Sequence, residues 1–342
     1  MAKKIFVPVL IIILAAGAFW LLKRNNYQFL GLDLSWKKAA KTEKKYNIGV
    51  VMTGGAYQQA LDGLKKGLGE KGFREGENVI FSIKDTRGNT DALKSVIEEL
   101  IAEKPDIIYS ISTPVTTQVS KISGDKLPIV FNIVGDPIGA GFAKSYAMPE
   151  TNLTGCSNLS AELSGKRLEM FKEAFPNLKK VVTFYNPKNK FSQISIENAR
   201  NAAPVLNVEM KEIIVKDKDE LEKALADITA GEFDGIFITP DAMVVSNADL
   251  IIKKSLELKI PTMGHEQTLA EKGVSLTYGA NFYNMGVQCS SVVASVLSGQ
   301  KPQTTPILTP DKFDIVVNQK NLESIGLTIT DRIPKEADKV IR

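Results

Sequence analysis

Residues 46–57, YNIGVVMTGGAY, decide how the chain is read. Ile48, Val50, Val51 and Met52 form a short apolar run, and Thr53-Gly54-Gly55 ends it. From Ala56 onward apolar residues recur at helical spacing, at Leu61, Leu64 and Leu68. A buried strand that passes through a glycine turn into a helix is the opening βα unit of a parallel sheet. Such a turn leaves backbone N–H groups free beyond the strand's C-terminal edge, where a carboxylate or phosphate can be held.

Outward from this unit, strand, helix and strand recur at intervals of roughly 30 residues, the spacing of right-handed βαβ crossovers. The first series predicts strands at 78–84, 106–111 and 128–133, helices at 89–103 and 114–122, and a short strand at 153–155. A second series predicts strands at 180–185, 208–215, 234–239, 261–263 and 274–278, with helices at 161–175, 192–206, 219–230 and 241–258. Two similar series in tandem imply two lobes of one α/β architecture, and 342 residues at 44% hydrophobic content suffice for both. A helix at 283–297 and a strand at 313–317 are left over, as expected if the chain crosses between lobes more than once.

Of 43 Lys/Arg and 39 Asp/Glu, nine and two precede Tyr46, which leaves 34 basic against 37 acidic residues in the remainder. The folded part is mildly acidic and carries no nucleic-acid footprint. Residues 5–22 are uncharged and almost wholly apolar, long enough to span a bilayer at the lower limit, with Lys3/Lys4 before and Lys23/Arg24 after. Ala16-Gly17-Ala18 offers a cleavage site, but Phe19-Trp20-Leu21-Leu22 continues the apolar run, which favours a retained anchor. No cysteine lies near it to take a lipid. The expected layout is a stub at 1–4, a transmembrane anchor at 5–22 and a Lys-rich linker at 23–45. Cys156 and Cys289, far apart and without metal spacing, are expected to be two buried free thiols; a disulfide needs them to meet in space.

Gly67-Leu68-Gly69-Glu70-Lys71-Gly72 matches G-x-G-x-x-G, but it closes a helix instead of following a strand, so helix termination is the natural reading. Walker A, HExxH, CxxC and GxSxG patterns are absent, and His265 is the sole histidine. No metal or cofactor is expected. What recurs is a polar residue or two after each strand: Thr53 and Gly55, Ser112 and Thr113, Asp136, Tyr185 and Asn186, Thr239 and Asp241, His265 and Glu266. In doubly wound folds ligands bind where these carboxyl ends meet. Ser112, Thr113 and Asp241 can equally be helix caps, and Asn186-Pro187 a turn. Together they point to a small polar or zwitterionic ligand held between lobes.

The ordered blocks IGVVMTGGAYQQALDGLKKGLGEKGFREGENVIF, DIIYSISTPVTTQ, PIVFNIVGDPIGAGF, NLTGCSNL, VVTFYNP, DGIFITPDAMVVSN, IPTMGHE, GANFYNMG and DIVVNQKNLESIGLTI resemble the substrate-binding proteins of bacterial ABC importers, in the tryptophan/tyrosine-type branch. The resemblance runs from Tyr46 to Arg342. It implies a type I periplasmic-binding-protein fold: two Rossmann-like lobes, at 46–155 plus 281–305 and at 156–280 plus 306–342, joined by a three-crossing hinge. The crossings would fall near 155–158, 278–281 and 305–310. It also implies a monomer with its globular part outside the cytoplasm, which hands its ligand to a permease and its ATPase. An α-carboxylate would meet Thr53, Gly55, Ser112 and Thr113, and an ammonium would meet Asp136, Asp241 or Glu266. Tyr57, Tyr185, Tyr278 and Phe282 would cover an apolar or aromatic side chain, with Asn281 beside them. The chain departs from the family pattern in its apolar anchor, in Gly54-Gly55, and in Gly264-His265-Glu266 where many relatives carry a Ser/Asp pair. A membrane-tethered sensor domain, or an enzyme using His265 and Glu266, are the competing readings.

Overall fold

The computed structural model describes residues 44–342; the expected anchor at 5–22 and most of the linker lie outside the described residues. Among the described residues no helix is long and apolar enough to cross a membrane. In chain order the first lobe is built from β1 (Tyr46–Met52), α1 (Tyr57–Glu70), β2 (Val79–Asp85), α2 (Leu93–Ala102), β3 (Ile107–Ile111), α3 (Thr113–Ser123), β4 (Ile129–Val134) and β5 (Leu153–Ser157). There follow α4 (Ser164–Ala174), β6 (Lys180–Tyr185), α5 (Lys190–Ala202), β7 (Glu209–Ile214), α6 (Lys218–Asp227), β8 (Gly235–Phe237), α7 (Ala242–Ser246) and α8 (Ala248–Leu258). The chain ends with β9 (Thr262–Gly264), α9 (Gln267–Lys272), β10 (Leu276–Ala280), α10 (Phe282–Leu297), β11 (Phe313–Asn318), α11 (Gln319–Ser324), α12 (Arg332–Glu336) and β12 (Lys339–Ile341).

The strands form two sheets, β2-β1-β3-β4-β5 and β12-β11-β10-β9-β8-β6-β7. All pairings are parallel except β10 with β11. Because successive strand residues face opposite sides, β1 sends Ile48, Val50 and Met52 to one core with Leu61, Leu64 and Leu68 of α1. Val51 goes to the opposite core, with Ile97 and Leu100 of α2 and Val115 and Val119 of α3. The second sheet divides likewise: Val181 and Phe237 pack on Leu168 and Phe171 of α4, whereas Val182, Phe184 and Ile236 pack on Leu221, Leu225 and Ile251. Burial on both faces is why these strands read as continuous apolar runs.

The chain passes between the sheets three times. Ser157 ends β5 in the first sheet and α4 packs on the second. Ala280 ends β10 in the second sheet, and α10 returns to pack on α1. The third passage runs through Leu308, which exchanges backbone hydrogen bonds with Gly155 and Ser157 at 2.9 Å each before β11 begins. At the α1–α10 contact the backbones nearly touch. A Cβ at Gly63 would collide with the Tyr283 carbonyl, and one at Gly286 with the Ala60 carbonyl.

Three expectations need correction. Residues 241–258 form two helices, because Asn247 leaves the helical region and its side-chain amide donates to the Met243 carbonyl at 2.8 Å. Cys156 and Cys289 are not free: the end of β5 runs beneath α10, the Cα atoms stand 5.9 Å apart, and the two sulfurs form a disulfide. In the G-x-G-x-x-G stretch Gly72 adopts φ 86° just past α1, as a helix terminator does, but Gly67 lies mid-helix against Ser290 of α10.

Candidate functional site

A cavity of about 300 Å³ lies between the carboxyl ends of the two sheets. Its first wall comes from α1, the β3–α3 junction and first turns of α3, and the end of β4 with the residue after it: Tyr57, Ser112, Thr113, Pro114, Thr117, Ile133 and Gly135. The connection after β5 supplies Asn158 and Ser160. The opposite wall is Asn189 and Phe191 at the start of α5, Pro240, Asp241, Ala242 and Val245 around α7, and His265 and Glu266 after β9. Two non-glycine residues hold positive φ here, Ser112 at 91° and the β-branched Ile133 at 56°. Backbone strain of this kind, of order 1–3 kcal/mol each, persists where surrounding structure enforces it and clusters at ligand sites.

Six of the expected residues line this cavity: Tyr57, Ser112, Thr113, Asp241, His265 and Glu266. Tyr57 is stacked on Phe282, with ring centroids 5.8 Å apart and planes 16° from parallel, so Phe282 supports the wall from behind. Burial and the Glu266 carboxylate push the Tyr57 hydroxyl far up, while a hydrogen bond with the Ser112 side chain opposes them. The phenol therefore stays neutral.

Asp241 is 1% exposed and its carboxylate is fully engaged by the protein. Oδ1 accepts from the backbone of Met243 and Val244, and Oδ2 accepts from the Ser192 hydroxyl at 2.6 Å and the Asn186 backbone at 3.1 Å. It caps α7 and ties that helix to β6 and α5. Glu266 is differently placed. Its Oε1 accepts from the Thr268 hydroxyl at 2.7 Å, and its Oε2 stands 3.8 Å from His265 Nε2. Burial raises its carboxyl above the ordinary 4.5 against the opposing pull of Thr268, Lys272 and Arg167. Burial, and secondarily the Arg167 charge, hold the His265 imidazole well below 6.5.

The other expected residues lie elsewhere. Asp136 borders a smaller hollow of about 180 Å³ that shares Thr113, Thr117, Asn189 and Phe191 with the larger one, with Oδ1 accepting from the Gly139 backbone. Thr53 and Gly55 belong to the turn before α1. Tyr185 ends β6, and Asn186 shapes the turn that follows by accepting from the Lys188 backbone. Thr239 pairs with Thr183 at 2.6 Å inside the second sheet. Asn281 caps α10 by accepting from the Asn284 backbone, and Tyr278 packs its ring on Phe313.

Sequence reasoning missed Gly135, Asn158, Ser160 and Phe191; Asn158 directly follows β5 and carries the same after-strand signal as the residues that were found, whereas Gly135 is apolar and Ser160 and Phe191 do not follow a strand directly. It also missed Arg167, 1% exposed, whose guanidinium sits behind the cavity. Nε donates to the Tyr278 carbonyl at 2.7 Å and Nη1 to the Ser160 carbonyl at 2.6 Å, so one side chain joins the first and second passages between sheets. Burial lowers its pKa to about 9, which still leaves it cationic at neutral pH. Among the described residues no group of His, Cys, Asp and Glu is placed to hold a metal.

Two mainly parallel sheets, three connecting passages and a cavity between their carboxyl ends make up a two-sheet α/β fold of the periplasmic-binding-protein type. Residues 45–341 match the family model for ABC transporter substrate binding proteins, and the chain belongs to that family. It is similar to the tyrosine-binding protein of Clostridioides difficile (strain R20291), at 27% identity over 293 residues, covering 85% of this chain and 84% of that one. Among solved structures it is similar to a conserved domain protein of Vibrio cholerae O1 biovar El Tor (28% identity, TM-score 0.78, 87% of this chain and 100% of the other). A Streptococcus pneumonia ABC domain in complex with L-Trp has the same fold (23% identity, TM-score 0.78, 87% and 100% covered). The family and the Clostridioides difficile relative are solute-binding proteins, not enzymes.

Proposed function

We propose that this chain captures an aromatic L-amino acid between its lobes and delivers it to the permease of an ABC importer. The observation that carries the reading is Glu266. Of the two carboxylates lining the cavity, Asp241 has both oxygens committed to protein donors, whereas Glu266 keeps Oε2 for a guest. A desolvated carboxylate on a cavity wall calls for a cation. At the start of α3 the Ser112 N–H is taken by the Asn132 carbonyl, but the Thr113 N–H and the Ser112 and Thr113 hydroxyls can serve the opposite charge. Tyr57 and Phe191 supply aromatic walls. A zwitterion with an aromatic side chain satisfies all three, and the L-Trp held by one structural neighbour and the tyrosine named for one relative are of that class. A cavity near the low end of the usual range of roughly 300–1,000 Å³ suits a single amino acid.

Capture works through differential contact: a ligand touching both walls favours the closed state by as much as it binds that state better. The proposed setting is extracytoplasmic, with residues 5–22 as the membrane anchor. The Cys156–Cys289 disulfide supports it, since such bonds persist in oxidising compartments. Calorimetry of the purified protein against the L-amino acids and representative sugars is the test. Saturable binding of tyrosine or tryptophan is expected; binding of sugars alone, or of no amino acid, would end the reading.

A further inference from the structure

Leu159, in the first passage between the sheets, has φ of 51°, in the left-handed region that residues with a Cβ avoid. It does not line the cavity, but its neighbours Asn158 and Ser160 do. Its backbone is held from both sides. Toward the first sheet, the Ser157 N–H donates to the Leu308 carbonyl at 2.9 Å and the Asn158 N–H to the Val134 carbonyl of β4 at 3.1 Å. The Ser157 hydroxyl then accepts from the Leu159 N–H at 3.2 Å. Toward the second sheet, the Leu159 carbonyl accepts from the Leu163 N–H at 3.1 Å. The Ser160 carbonyl accepts from Arg167, whose Nε is fixed to the Tyr278 carbonyl of β10. The N–H of Leu159 thus goes with one lobe and its carbonyl with the other. In this passage the turn between the lobes falls on the φ and ψ of one residue, and the Cys156–Cys289 bond stops the bend from spreading back into β5.

Phe191 of one wall packs against Gly135 of the other, so the lobes are drawn together in this conformation. The left-handed region is a small island for a residue with a Cβ, and the broad allowed regions lie at negative φ. Rotating one lobe away from the other changes the torsions of Leu159 and carries it off that island to relaxed backbone. We propose that Leu159 is a spring in the hinge: shutting the cleft drives it into the left-handed conformation, which biases the empty protein open and lowers the affinity for the solute that the lobes enclose. Contacts with the solute offset that cost, because they are made in full when both walls meet. The spring rests on capture between lobes and is indifferent to which solute is captured.

The test compares the native protein with Leu159→Gly and Leu159→Ala, by X-ray scattering without ligand and by calorimetry with L-tyrosine and L-tryptophan. Glycine takes positive φ without steric cost, whereas alanine loses the side chain and keeps the cost. The Gly variant should be more compact when empty and should bind about fivefold to tenfold tighter. The Ala variant should match the native protein in both measurements, and thermal unfolding confirms that both variants fold. Loss of a merely structural contact does not raise affinity. A Gly variant that fails to differ from the Ala variant in either measurement overturns the spring. If the native protein binds neither amino acid, the function proposed above falls, and scattering of the empty proteins still decides the spring: compaction confined to glycine upholds it, and equal profiles overturn it.

Discussion

The ring of Phe191, at the start of α5, lies so tightly on Gly135, in the loop after β4, that a Cβ at position 135 would overlap the ring edge. The two residues belong to opposite walls of the cavity, so this contact exists only while the cleft is shut. Gly135 is needed here for closeness, since its φ is not positive.

Gly135→Val should therefore hold the cleft ajar. The free protein should fold normally, but ligand affinity should drop about 10–100-fold, or ~1.4–2.7 kcal/mol, as the closed population falls. Adding Phe191→Ala to the valine variant should restore closure, read by X-ray scattering with and without ligand. A valine variant that closes as well as the parent would show that the ring simply swings aside.

Asp241 should behave as a keystone of stability. Its carboxylate serves four donors from three segments, and Asp241→Ala leaves the Ser192 hydroxyl and three backbone N–H groups without it. The expected cost is about 2–4 kcal/mol of folding stability, measured by denaturant unfolding of the unliganded protein. An unchanged midpoint would refute that account.

Glu266 should make binding depend on pH, and the sign follows from burial. With its carboxyl raised above 4.5, the folded protein holds a proton that the unfolded chain releases. Its contribution to stability is thus fullest below 4.5 and declines as pH rises toward the folded value. An ammonium stabilises the carboxylate, so ligand binding expels a proton in that window and affinity rises as pH climbs through it. Calorimetry in two buffers of different ionisation heat should detect the released proton. Glu266→Gln should abolish the release and weaken binding by about 2–4 kcal/mol.

Breaking the Cys156–Cys289 bond should be costly, because it closes a loop with a sequence separation of 133. Reduction, or the double change Cys156→Ser and Cys289→Ser, should lower stability by about 2–5 kcal/mol. Thiol titration of the denatured, unreduced protein should find no reactive sulfur; two would mean that the bond does not form.

Much of this architecture is legible in the residues. The alternation that sends Val50 and Val51 to different cores and the i, i+3, i+7 spacing of Leu61, Leu64 and Leu68 are local signals, and local signals survive in a sequence. Helix α9, at six residues, is too short to show a period, and the break at Asn247 depends on one backbone angle. Within the site, Ser112, Thr113, His265 and Glu266 could be found because they follow strands. Asp241 could be found too, but only its surroundings reveal that capping uses up its charge. Phe191 against Gly135, Arg167 behind Ser160, and Cys156 beneath Cys289 join segments that no local pattern connects.

The near-contact of α1 and α10 through Gly63 and Gly286 bears on how the molecule is made. A nascent chain that has left the ribosome only as far as residue 160 owns every strand of the first sheet, yet the glycine face of α1 is bare and Cys156 has no mate. The lobe begun first thus waits for residue 297 before it can be sealed, and through that interval it is the half that exposes apolar surface.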